Sequence, residues 1–379
     1  MAQPHHGGDV YRNVITHDFS INLNPLGMPE AVRQVLIGSV DHWDRYPDPE
    51  CENLTGALSA VHQVPVEQIL CGNGAADLIF QLVYALKPKK ALLMAPTFSE
   101  YQQALLAVGC SMEYYELKEE NGFRVKLEEL KEQVHPNTDL VFFCNPNNPT
   151  GIAVKHQELR QLADVCLENQ AVLVVDECFC DFLEEPSQYS MIPFLQQYPN
   201  LFVLKAFTKT YAMAGVRLGY GICADTGLLQ QMRAIRQPWS VSIPAQEAGL
   251  AALSERDYGA RTRTLLRQER SFLKQELEKL GFLVYGSEAN YIFFLVPWES
   301  APREQESEER APEKQQSETA QRETLYEACR RRKLLIRDCS NYRGLGSGYY
   351  RICIRTPEEN RYLLDQLHQI LTEEKEDTR

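Results

Sequence analysis

The stretch Leu140-Val141-Phe142-Phe143-Cys144-Asn145-Pro146-Asn147-Asn148-Pro149-Thr150-Gly151 carries the reading of the fold. Five apolar residues closed off by asparagine read as a buried strand. Two Asn-Pro steps and a Thr-Gly then set a sharp turn at its carboxyl end, because proline restricts both itself and the residue before it. A plain turn would look the same. A rigid turn there would also present Asn148 at the edge of a ligand site, as a hydrogen-bond donor suited to a planar ring's phenolic oxygen.

Runs of the same kind lie at 91–94, 172–176, 201–205 and 218–222, with helical spacing at 98–108 and 156–169. The alternation predicts an α/β fold with helices on both faces of a mostly parallel sheet, and a ligand beyond the carboxyl ends of its strands. Later the pattern changes. A helical stretch over 258–280 leads to short apolar runs at 282–285, 291–296, 334–337 and 350–355, a smaller α+β domain that the early segment 18–25 joins. The expected division is an N-terminal arm (1–45) belonging to the small domain, a large domain (46–238), and a C-terminal small domain (239–379). Residues 297–324 are rich in Glu, Gln, Arg and Ser and poor in apolar residues, so they read as a flexible acidic surface insertion.

A chain of 379 residues with 44% hydrophobic and 24% charged residues has an ordinary globular composition. The net charge of −13 argues against a nucleic-acid partner, and an anionic substrate would need a local basic pocket. No apolar run approaches the ~20 residues that span a bilayer, and the amino terminus has no secretory pattern. Eleven cysteines without a Cys-x-x-Cys pair read as reduced thiols of a cytoplasmic protein.

The chemistry-bearing residues follow the strands. Residues 172–176 run into Val174-Val175-Asp176-Glu177-Cys178-Phe179. Asp176 suits a metal ligand, a general base or the partner of a heterocyclic N–H. Metal is the weaker choice, since no histidine stands at ligand spacing. Pairing with a pyridinium nitrogen would keep that nitrogen protonated, so the ring acts as an electron sink. Next comes Phe207-Thr208-Lys209-Thr210-Tyr211, with Arg217 soon after. A loop lysine is usually a surface charge. One set among apolar and aromatic residues has a lowered pKa and serves as a Schiff-base amine. Thr208 and Arg217 suit a phosphate, the arginine through its planar fork. Gly72-Asn73-Gly74-Ala75-Ala76 before an apolar helix suits a phosphate too, through close backbone approach and free N–H groups, although a helix-capping turn explains it equally well. Phe98 stacks on a flat ring or belongs to the core.

In chain order these features are a glycine turn, an aromatic, Asn-Pro-Thr-Gly, Asp, Lys and Arg. The order resembles the fold-type I pyridoxal 5'-phosphate (PLP) enzymes of the class I and II aminotransferase family, over about residues 18–371. The resemblance implies PLP as cofactor. Asn148 would meet its phenolic oxygen, Asp176 its pyridine nitrogen and Lys209 its aldehyde carbon. Thr208, Arg217 and the turn at Gly74, Ala75 and Ala76 would hold its phosphate. Tyr46, in Arg45-Tyr46-Pro47-Asp48, matches a tyrosine that reaches the cofactor phosphate of a neighbouring subunit, which implies a homodimer. Ala206 stands where many relatives carry a hydroxyl for that phosphate, leaving the load to Thr208 and the glycine turn.

Two branches of the family are similar: the threonine-phosphate decarboxylases of cobalamin biosynthesis and the histidinol-phosphate aminotransferases. His6-Gly7-Gly8, the segment from Asp18 to Pro29, Gln237-Pro238-Trp239-Ser240-Val241, Ile336-Arg337-Asp338-Cys339-Ser340-Asn341-Tyr342 and Tyr349-Tyr350-Arg351-Ile352 resemble the decarboxylases. So does Phe179, where the aminotransferases usually carry a tyrosine. The resemblance implies a phosphorylated amino acid, L-threonine O-3-phosphate, as substrate, bound by His6, Asn22, Asn148, Arg337 and Arg351. The bond broken at Cα is the one perpendicular to the cofactor ring. A carboxylate clamped in the ring plane by Arg351 leads to transamination. A phosphate held by Arg337, Arg351, His6 and Asn22 lets the carboxylate turn perpendicular and leave as CO2, with Lys209 moving the proton. A catalytically inactive binding or regulatory protein of the same fold is a third reading, against which intact Lys209, Asp176 and Arg217 stand.

Overall fold

The computed structural model describes residues 7–12, 14–300 and 323–377, with side chains described to residue 373. Most of the expected insertion 297–324 (residues 301–322), and His6, lie outside the described residues.

Seven strands form one sheet in the order Ile69–Gly72, Gly219–Cys223, Leu201–Ala206, Val172–Asp176, Leu140–Cys144, Lys90–Ala95, Ser111–Glu116. Gly219–Cys223 runs antiparallel to both neighbours, and the other strands are parallel to one another. The α/β fold is therefore as the sequence predicts, and the five expected strands are present with ends moved by one residue at most. Leu140–Cys144 is buried at every position, as a strand covered on both faces must be. Helix Ala75–Leu86 covers the sheet with Leu78, Ile79, Leu82 and Val83, and His156–Glu168 does so with Leu159, Leu162, Ala163 and Cys166. Both sets follow the 3.6-residue stripe.

Two strands gave no sequence signal. Ser111–Glu116 is a sheet edge whose polar residues reach water, and Ile69–Gly72 is only four residues long. The run 334–337 splits in two because its halves pair with different partners. Leu334–Leu335 runs parallel to His17–Asp18, whereas Arg337–Asp338 pairs with Tyr349–Cys353. The latter belongs to a four-stranded antiparallel sheet ordered Arg337–Asp338, Tyr349–Cys353, Tyr291–Leu295, Leu283–Tyr285.

Residues 19–24 tie this second sheet to the first. Phe19 N donates to Leu335 O (2.7 Å) and Phe19 O accepts from Cys353 N (2.8 Å). Five residues on, Asn24 N donates to Lys209 O (3.1 Å), and Asn24 Nδ2 donates to Thr210 O (2.8 Å). Three strand ends of the large sheet, at Cys144, Asp176 and Ala206, lie side by side. Their following turns face the second sheet across a cleft.

Candidate active site

The cleft holds a cavity of about 300 Å3. Its walls contain Asn22, Ala76, Phe98, Asn148, Asp176, Phe179, Thr208, Lys209, Arg217, Arg337 and Arg351, residues spread over 330 positions of chain and brought together by folding.

Asp176 closes its strand and is buried. Tyr101 Oη donates to its Oδ2 (2.6 Å) and Cys178 N donates to its Oδ1 (3.0 Å). Tyr101 is fixed in turn by stacking on Phe142, with centroids 4.6 Å apart, and by the edge contact of Phe98 at 5.5 Å. Burial, with the Asp176 carboxylate beside it, pushes the Tyr101 phenol well above its ordinary pKa, so it stays a donor. The result is a buried carboxylate with a fixed orientation, suited to a protonated ring nitrogen.

Lys209 follows from the strand Leu201–Ala206 through the short helix Phe207–Thr210. Withdrawal of its amine from water, with Arg351 as the next largest influence, lowers its pKa to about 8. An amine of that kind is neutral often enough at physiological pH to attack an aldehyde.

Opposite lies an anion cradle. Gly74 has a positive φ (+85°) with ψ 163°, a backbone essentially confined to glycine, and leads into helix Ala75–Leu86, with no side chain capping that helix. A Cβ at Gly74 would stand 2.5 Å from Arg217 Nη2, so glycine is what lets the guanidinium lie against the helix start. Arg217 Nη1 donates to Ala214 O (3.0 Å), and Thr208 lies in the same cavity. Helix N–H groups, a guanidinium and a hydroxyl make a site for a phosphate. Together with Lys209 and Asp176 this donor set fits PLP. When bound, PLP supplies an electron sink conjugated to the substrate's Cα.

Arg337 and Arg351 are directly paired in register on neighbouring antiparallel strands, and both are buried. Like charges so placed repel. Among the described residues neither has a carboxylate partner. Arg337 donates to Asp338 O (2.6 Å) and to Asn341 Oδ1 (2.8 Å). Arg351 donates to Ser20 O (2.9 Å) and to Asn148 Oδ1, and its Nε is buried with no partner among the described residues. Because Arg351 holds the carbonyl end of Asn148, the amide NH2 is the end free to donate to a cofactor. Asn22 Oδ1 is likewise buried and unpartnered among the described residues. Buried unpaired charge is costly, and two cations facing one cavity provide for an anionic ligand.

Phe179 packs edge-on against Tyr291 (5.1 Å) at the cavity wall, where it has no hydroxyl to offer. Tyr46 is not in the cavity. It is 75% exposed and stacks on Trp239 with centroids 4.5 Å apart. Gly7 lines the cavity, while His6 lies outside the described residues. Sequence reading missed Tyr101 as the partner of Asp176, because nothing local links residues 75 positions apart. It also missed Ser20, Glu100, Cys144, Cys178 and Tyr342, which line the cavity.

A fold with this sheet order and a lysine, aspartate and arginine so disposed defines a PLP-dependent enzyme of fold-type I. Residues 15–367 match the family model "Aminotransferase class I and II", and the chain belongs to that family, with PLP as its cofactor. Among its relatives is a threonine-phosphate decarboxylase of Salmonella typhimurium, 37% identical over 94% of this chain and 91% of that protein. An adenosylcobalamin biosynthesis bifunctional protein of Leptospira interrogans is 29% identical over 98% of this chain and 41% of its own length. Among solved structures, the histidinol-phosphate aminotransferase from Clostridium acetobutylicum superimposes with a TM-score of 0.81 at 25% identity, covering 94% of this chain and 99% of that one.

Proposed function

We propose that this protein decarboxylates L-threonine O-3-phosphate to (R)-1-aminopropan-2-yl phosphate and CO2, as a step of cobalamin biosynthesis. The observation that carries this reading is the register pair of buried arginines, Arg337 and Arg351, facing the same cavity as Lys209. Such a pair suits a substrate with two anionic groups. The 37% identity to a threonine-phosphate decarboxylase supports it, and so does phenylalanine at position 179.

In this reading Asp176, held by Tyr101 and Cys178, would face the ring nitrogen, and Asn148 would donate to the phenolic oxygen. Ala75, Ala76, Thr208 and Arg217 would hold the phosphate of the cofactor. Arg337, with Asn22 and His6, takes the substrate's phosphate. Arg351, which donates to Asn148, would keep the carboxylate from being clamped in the ring plane by sharing the phosphate. The Cα–carboxylate bond then breaks to release CO2, and Lys209 returns a proton to Cα.

In the same reading the chain divides into an N-terminal arm (1–45), a large domain (46–238) and a small domain (239–379), and this chemistry would lie at their junction. The working unit is a cytoplasmic homodimer. Trp43, Tyr46 and Trp239 stay exposed in the single chain at 57%, 75% and 47%, an aromatic face suited to a second copy in which Tyr46 reaches the partner's site. Among the described residues no helix is long and apolar enough to cross a membrane.

The test is to supply L-threonine O-3-phosphate to the PLP-loaded protein without any keto acid and to measure CO2. Sustained release over many turnovers is expected. A second reading, a histidinol-phosphate aminotransferase, is favoured by the bond between Arg351 and Asn148, which suits a carboxylate clamped in the ring plane. Absence of CO2 with glutamate-dependent amination of an imidazole-propanone phosphate would establish that reading instead.

A further inference from the structure

Tyr342 stands where the two arginines and the cofactor asparagine meet, and none of the steps above uses it. Its half-buried side chain lines the active-site cavity and also a smaller cavity of about 50 Å3 next to it, so it is part of the partition between them. The ring lies beneath Arg337, whose Cζ is 5.2 Å from the ring centroid. At its other end Tyr342 Oη donates to Asn148 Oδ1 (3.4 Å), the atom that also accepts from Arg351 Nη1. Burial pushes the phenol above its ordinary pKa despite the nearby Arg351, so it remains a donor.

We propose that Tyr342 is a positioning residue that separates the two arginines into two anion sites, its ring fixing Arg337 for the substrate's phosphate and its hydroxyl joining the Asn148–Arg351 group. Arginine loses considerable rotamer freedom when fixed, and an aromatic face confines a guanidinium to one plane at modest cost. Asp338 O and Asn341 Oδ1 already take one donor from each terminal nitrogen of Arg337. With the ring closing one face, the remaining N–H donors are the ones left for a ligand. Without the ring, Arg337 is free to swing away from that geometry or to join Arg351 on a single anion. One anion then binds in several arrangements, and the phosphate no longer dictates where the carboxylate lies.

This inference rests on the phosphorylated amino acid as substrate, and the test separates the two. Calorimetry on the PLP-loaded protein measures the Kd of inorganic phosphate for wild type, Tyr342→Leu, Tyr342→Phe and Asn341→Ala, alongside KM and kcat for L-threonine O-3-phosphate. For Tyr342→Leu, the Kd of phosphate and the KM for the phosphorylated substrate rise about 5- to 30-fold, the range of a partly desolvated cation–π contact, while kcat falls less than KM rises. Tyr342→Phe, which keeps the ring, restores most of the affinity. Asn341→Ala, which removes the second tether from an exposed position, shifts Kd in the same direction and guards against a Tyr342→Leu protein that fails to fold. Unchanged Kd in both Tyr342→Leu and Asn341→Ala, or Tyr342→Phe as impaired as Tyr342→Leu, overturns the role of Tyr342 and leaves the decarboxylase reading intact. A wild-type protein that neither binds phosphate nor turns over the phosphorylated substrate overturns both.

Discussion

Replacing Gly74 by alanine puts a methyl group 2.5 Å from Arg217 Nη2 and 3.1 Å from its Cζ, on a backbone with φ +85°. The guanidinium is the far end of a flexible side chain, so it moves aside rather than forcing the helix and strand apart. Two costs therefore separate. The positive-φ extended backbone, which is essentially confined to glycine, costs the folded protein about 1–3 kcal/mol, which lowers Tm by a few degrees. Displacing Arg217 removes a charge-assisted hydrogen bond to the cofactor's phosphate worth about 1.5–3 kcal/mol, which weakens PLP binding about 10- to 150-fold. Titrating cofactor-free protein with PLP and following absorbance gives the Kd. Gly109 is the control, because its φ is +70° and an added Cβ there meets nothing within 4 Å. Gly109→Ala is expected to lower Tm while leaving the PLP Kd unchanged. A Gly74→Ala protein that binds PLP within about twofold of wild type would refute the assignment of Arg217 and the helix start to the phosphate.

Tyr101→Phe leaves Asp176 Oδ2 without its donor, and kcat is expected to fall about tenfold at unchanged substrate Kd, the loss of one hydrogen bond to a charged group; unaltered kcat would show that Asp176 needs no such support. Lys209, with its pKa lowered from 10.5 to about 8, carries fewer protons in the folded than in the unfolded chain between those values. The stability of the cofactor-free protein therefore gains a rising contribution from this group across that window, and its penalty is full below it. Lys209→Met should accordingly raise the Tm of the cofactor-free protein at pH 7, by a margin that shrinks as pH approaches 10; a pH-independent difference would place the perturbation elsewhere. Arg337→Ala should weaken phosphorylated substrates far more than their unphosphorylated analogues, and equal losses in a competition assay would exclude it as a phosphate ligand.

Read alone, the sequence determines the elements whose signal is local. The apolar run 140–144 and its Asn-Pro turn, and the strands ending at Asp176 and just before Lys209, were legible because a buried strand and the turn after it are written in consecutive residues, whereas the short helix that carries Lys209 was read as loop. The order of the motifs was legible for the same reason, and with it the family. The edge strand Ser111–Glu116 was not, since half-exposed strands carry polar residues that resemble loop. Register and distant contact belong to the tertiary structure alone. That Tyr101 reaches Asp176, that Gly74 makes room for Arg217 and that Tyr342 reaches Asn148 join residues far apart in the chain, and that Arg337 lies opposite Arg351 is a matter of strand register. Periodicity tells which face of a strand is buried, but a one-residue slip in pairing would preserve neither arginine's partner. The sequence therefore determines which chemical groups the protein possesses, and the packing of two sheets through residues 19–24 decides which of them share a cavity.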